Sequence, residues 1–123
     1  MMNKKSEEFL RKMLDFLPST NDAYRKSIAD HGEVLETVII ESIFMPEVIK
    51  LLSEEKNINL LESIFKYFEE VSNDEDAYLM NVFSVTVLEI LGNDRSILET
   101  AQKYMGPKTI ELQIEADRGL GRI

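Results

Sequence analysis

The sequence predicts an all-α fold: six to seven short helices in stacked antiparallel hairpins, arranged as a helical bundle or a short HEAT-like stack. Three observations predict it. Apolar residues recur every three or four positions through most of the chain, the spacing that places them on one helical face. Proline, glycine and Asn/Asp turns divide the chain into short pieces with no Gly/Ser linker between them. The 123 residues, 44% hydrophobic and 30% charged, suit one globular domain spanning residues 1–123.

The first helix runs from Lys5 to Phe16, with Phe9, Leu10, Met13, Leu14 and Leu17 on one stripe and Pro18 ending it. Ser19, Thr20, Asn21 and Asp22 form a polar turn, and any of them could cap a second short helix through Ala29. Gly32 marks the next join. From Glu33 to Phe44 the apolar set is Val34, Leu35, Val38, Ile39 and Ile43 with Ser42, again one face. Pro46 should break or restart that helix, leaving Met45–Leu52 as a further piece running to Glu54.

Asn57 caps a helix from Ile58 to Val71, in which Ile58, Leu61, Ile64, Phe65, Phe68 and Val71 share a face. Ser72, Asn73 and Asp74 turn the chain into a helix from Glu75 to Leu91, with Glu75 and Asp76 in its first turn, where negative charge favours the helix dipole. This helix is apolar on nearly every side, as a central helix is. Its β-branched run Val82, Val85, Thr86, Val87 also allows a strand. Helices from Asp94 to Met105 and from Lys108 to Arg118 follow, separated by Gly106 and Pro107.

Several chemistries lack their residues. Without cysteine there is no disulfide, thiolate metal site or cysteine nucleophile. One histidine, His31, cannot build a two-histidine metal site, and it reads as an exposed turn or helix-end residue. Gly119 and Gly121 are the one closely spaced glycine pair, and they do not form a phosphate loop. Asp74, Glu75 and Asp76 lack the alternating twelve-residue pattern of a calcium loop. The expectation is a protein with no metal, no cofactor and no catalytic residues. The longest weakly charged stretch, Ala77–Leu91, is too short to span a membrane, and the N-terminal stretch is amphipathic rather than a secretory signal, so a cytoplasmic location is expected.

The charge is the feature that points to function. The net charge is −9, which disfavours binding to nucleic acid or an anionic membrane. Residues 31–99 hold four basic against fifteen acidic side chains, while the flanks are close to neutral. Acidic side chains clustered in this way attract a basic partner, raising association rate and selecting against wrong partners. The candidate partner-binding residues are Glu33, Glu36, Glu62, Glu69, Glu70, Asp74, Glu75 and Asp76, with Tyr67 and Tyr78 flanking the acidic turn.

The middle of the chain, LLESIFKYFEEVSNDEDAYLMNVFSVTVLEIL, alternates an acidic turn with strongly apolar helices, and Ala101–Arg122 reads AQKYMGPKTIELQIEADRGLGR. In these segments, its size and its charge, the chain resembles small acidic helical immunity proteins of bacterial polymorphic and contact-dependent growth-inhibition toxin systems. The resemblance implies neutralisation of a cognate toxin with a basic surface, such as a nuclease, by binding alone. It supplies no active-site motif. Two alternatives stand beside it: a non-catalytic helical scaffold or adaptor for another protein, and an enzyme using carboxylates or a cation.

Overall fold

Apolar periodicity becomes seven helices in the computed structural model, which describes residues 3–123. Met1 and Met2, which open the amphipathic N-terminal stretch, lie outside the described residues. Helix α1 is Lys4–Phe16 and begins at Asn3, whose side chain accepts from the backbone N–H groups of Lys5 and Ser6. A single 3₁₀ turn at Pro18–Thr20 leads into α2, Asn21–His31. Gly32 ends α2 in the left-handed conformation (φ 73°) that glycine adopts without steric cost. His31 is exposed at that helix end, donating from Nδ1 to the Ser27 carbonyl.

Pro46 does not break the third helix. Helix α3 runs through residues 36–54, with a π turn at Ile40–Phe44 just before the proline. The Met45 N–H reaches back five residues to the Ile40 carbonyl, and this wider turn takes up the ring and the missing donor of Pro46. The extra residue also rotates the buried face. Ile39, Ile40, Phe44, Met45, Val48 and Leu52 point inward, whereas Val38 and Ser42, expected on that face, are exposed.

Helix α4, Ile58–Ser72, starts at Asn57, whose side chain accepts from the Leu60 N–H. Helix α5 covers residues 77–91 and contains a second π turn, Ser84–Leu88. The Thr86 hydroxyl donates to the Val82 carbonyl at 2.6 Å within this β-branched run, a side-chain competitor for the regular helical bond. The run is helical, not a strand. Glu75 and Asp76 precede α5 rather than forming its first turn: Asp76 is the cap, accepting from the Leu79 N–H at 2.8 Å. Helix α6 is Arg95–Gln102, capped by Asp94, and α7 is Pro107–Gly119.

One core cluster joins α1, α3, α4, α5 and the end of α6. Its centre is aromatic. Phe68 meets Phe65 and Phe83 edge-on, with ring centres 5.1 and 5.4 Å apart, and Phe9 packs edge-on against Phe83 at 6.1 Å. The two π turns, on α3 and α5, pack against each other. The hairpin order departs from a simple stack in one respect: α7 packs on α4 and α5, while α6 packs on the second half of α3. Among the described residues no helix is long and apolar enough to cross a membrane.

Candidate functional site

The apolar face of α4 is spent on the core, so its opposite face looks outward, with Glu62, Ser63, Lys66 and Glu70 exposed. The ten candidate binding residues divide into two groups around this helix. Glu62, Glu70 and Glu75, together with Glu33 in the α2–α3 loop, are exposed and have no basic group within 4 Å among the described residues. Glu62 and Lys66, four residues apart, do not close an ion pair.

The others are engaged inside the fold. Glu69 accepts from the backbone N–H groups of Lys108 (3.1 Å) and Thr109 (2.9 Å) and from the Thr109 hydroxyl (2.8 Å), so it caps α7 from a neighbouring helix. Burial pushes its carboxyl up, but the hydrogen bonds from Thr109, Lys108 and Asn73 outweigh this and hold it below the ordinary glutamate value. Asp74 accepts from the Asp76 N–H at 2.8 Å and pairs with Lys5 at 3.1 Å. Those two contacts, in that order, keep its carboxyl low.

Glu36 is partly buried at the start of α3, where the Tyr78 hydroxyl donates to Oε1 and Oε2 has no partner. Burial pushes the Glu36 carboxyl up, and the Ser6 hydroxyl beside it offsets part of that. Tyr67 lies half-buried, stacked on Phe9 with ring centres 5.9 Å apart, and the Lys12 ammonium sits 5.8 Å from its ring centre. Burial, followed by Glu8, Glu70 and Asp74, pushes its phenol up to about 12.

Grooves flank α4 on both sides. On one side lies an open groove of about 570 Å³ between α4 and residues 103–106, lined by Glu62, Phe65, Lys66, Lys103 and Tyr104 among others. Its rim is fixed by Glu55, which accepts from the Tyr104 hydroxyl (3.3 Å) and pairs with Lys103 (3.6 Å). Glu55 holds a left-handed backbone (φ 46°) at the end of α3, a conformation that costs a non-glycine residue about 1 kcal/mol. On the other side smaller clefts run between α4 and α1, bordered by Glu8, Tyr67 and Glu70. Among the described residues no group of three or more His, Asp or Glu side chains is placed to hold a metal ion.

Sequence reasoning missed the way α7 is held. Its buried face is polar: Thr109, Gln113 and Asp117, at successive intervals of four. Thr109 shares a hydrogen bond with Ser72 (2.9 Å), and Gln113 donates to the Leu88 carbonyl (2.9 Å) and to Asp117 (3.2 Å). Arg122 closes the far end, donating to the Glu89 carbonyl (2.9 Å) and reaching Asp117 (3.4 Å) and Asn93. Nothing local marks Thr, Gln and Asp at that spacing as buried, because polar residues at helical intervals ordinarily face water.

A family profile matches residues 10–120, which is nearly the whole of this helical bundle. The chain belongs to the DUF7674 family, a domain of unknown function. The matched region of DUF7674 takes in all of α2–α7 and most of α1, so the acidic face of α4 and the polar dock of α7 both lie inside it. No curated protein and no solved structure matches the chain.

Proposed function

We propose that this DUF7674 protein is a binding protein that docks on a basic partner through the outward face of α4, and that the partner is a toxin it neutralises. The observation that supports the reading is the set Glu62 and Glu70 on that face with Glu75 in the turn after it, exposed and with no basic group within 4 Å among the described residues, on a protein of net charge −9. Each such carboxylate attracts a basic surface at long range, and a nuclease must carry such a surface to hold its phosphate backbone. Occupying it excludes the substrate without any bond being made or broken.

The test is association with the product of an adjoining toxin-like gene, measured at low and high salt. Reversing Glu62, Glu70 and Glu75 to Lys should slow association by about tenfold or more at low salt and leave the helix content intact. An association rate indifferent to both salt and reversal overturns electrostatic docking. A genomic setting without a toxin gene overturns the immunity reading.

The groove between α4 and residues 103–106 favours a second reading, an adaptor that seats a partner's side chains against Tyr104. Binding that survives the triple reversal but is lost in Tyr104→Ala selects it.

A further inference from the structure

Most of the bundle is joined by buried Phe, Leu, Ile and Val, but α7 presents Thr109, Gln113 and Asp117 to its neighbours. Its apolar residues Ile110, Leu112 and Ala116 are half-buried and pack against the core from the flanks, while Ile114 is 39% exposed. Its attachment thus combines those flanking contacts with a row of hydrogen bonds that has a charged group at each end. At the N-terminal end the Glu69 carboxylate takes up two of the backbone N–H groups that every helix start leaves unpaired. At the other end Arg122 takes up the Glu89 carbonyl at the C-terminus of α5, where a cation is favoured by the helix dipole.

Two glycines make the approach possible. A Cβ at Gly106 would lie 2.5 Å from the Glu69 carboxylate, and one at Gly92 would overlap Asp117 and Arg122.

A buried polar contact that loses one partner leaves the other desolvated and unpaired, so a row of them is lost together rather than weakened gradually. We propose that α7, with the tail through Arg122, is a latch that opens as one unit when the Glu69 carboxylate gains a proton, while the rest of the bundle stays folded. A protonated Glu69 keeps at most one good acceptor for the two N–H groups and the Thr109 hydroxyl it now serves, and it no longer complements the positive end of α7.

The direction follows from linkage. Glu69 is held low in the closed state and returns toward the ordinary value when α7 leaves. Its contribution to closure is therefore present above that value and is lost as pH falls through the lowered one. The charged and titratable groups facing Glu69 are Glu62 and Lys66 on α4, Lys103 and Tyr104 beyond α6, and Lys108 on α7. The Lys108 ammonium is drawn to Glu111 at 3.5 Å. Opening uncovers the sides of α4 and α5 on which α7 packs.

The experiment is hydrogen–deuterium exchange on the full chain at neutral pH and at a pH below the ordinary glutamate value, scored as the opening equilibrium of each helix after correction for intrinsic rate. In the wild type, α7 should open more readily than α4 and α5, and acid should bring a loss of protection confined to α7 while interior amides of α4 and α5 hold. Glu69→Gln and Glu69→Ala should open α7 already at neutral pH and flatten its acid response; Glu75→Gln should behave as wild type. Three results overturn the proposal: α7 and α4 amides exchanging together at both pH values, an acid response of α7 that survives both Glu69 substitutions, or loss of protection throughout the chain in Glu69→Gln.

Discussion

Gly92→Ala tests the polar dock where it is tightest. The backbone at Gly92 (φ −80°, ψ −7°) suits any residue, so the substitution brings no conformational strain. The added methyl group instead overlaps Asp117 Oδ1 and Arg122 Nη1 and lies 3.1 Å from Gln113 Nε2. Those side chains must move apart, and Asp117, only 5% exposed, loses its donors. Leaving a buried charged acceptor without partners costs about 2–3 kcal/mol. At about 2.1 cal/mol/K per residue, the unfolding entropy of 123 residues is about 0.26 kcal/mol/K, so the substitution should lower Tm by about 8–12 °C.

Gly119→Ala is the internal control. It lies in the last turn of α7 with open space around the position of its Cβ, and replacing a helical glycine there should be neutral or stabilising by up to about 1 kcal/mol. Calorimetry on the two variants reads the difference directly. If Gly92→Ala melts within about 2 °C of the wild type, corresponding to about 0.5 kcal/mol, the ends of Asp117, Arg122 and Gln113 shift without losing their partners, and the cost reasoned here is wrong.

Two further predictions concern the acidic turn and the half-buried tyrosine. Asp76→Ala should cost about 1 kcal/mol, the usual worth of a helix cap, whereas Glu75→Ala, one residue earlier and exposed, should leave chemical denaturation unchanged; equal effects would contradict the assignment of the cap. Tyr67, pushed up to about 12 by burial and then by its acidic neighbours, favours the folded state below the ordinary tyrosine value of 10 and loses that contribution as pH rises from there to about 12. Urea midpoints at about pH 9 and pH 11.5 should therefore fall less in Tyr67→Phe than in the wild type, and an identical fall would show that the ring is not shielded.

The helices were legible because their signals are local. Asn57, Asp94 and Pro18 lie where capping and termination rules place them, and the Phe9, Phe65, Phe68 and Phe83 faces are read from spacing alone. What could not be read depends on partners distant in sequence. The π turn before Pro46 arises because both halves of α3 are held against the core, so the helix widens instead of breaking. The Glu69 bonds span about forty residues, and nothing near Glu69 in the sequence shows that its carboxylate is taken. Thr109, Gln113 and Asp117 were passed over because polar residues at helical spacing normally face water, and only packing on α4 and α5 reverses that.

That distinction changes which residues can report on binding. Glu69, Glu70, Asp74, Glu75 and Asp76 form one cluster along the chain, and reversing all five is the obvious probe of an acidic interface. In the folded protein it would be misleading. Glu69 caps α7, Asp76 caps α5 and Asp74 secures Lys5, so the fivefold variant would loosen three elements and lose binding through unfolding whatever the partner touches. Density of charge along a sequence is produced partly by helix starts, which collect carboxylates for reasons of their own. Only carboxylates with no intramolecular work to do carry information about a partner. These are Glu62 and Glu70 on α4 and Glu75 in the turn after it, and a change in association rate on reversing them, with helix content preserved, can be ascribed to the interface itself.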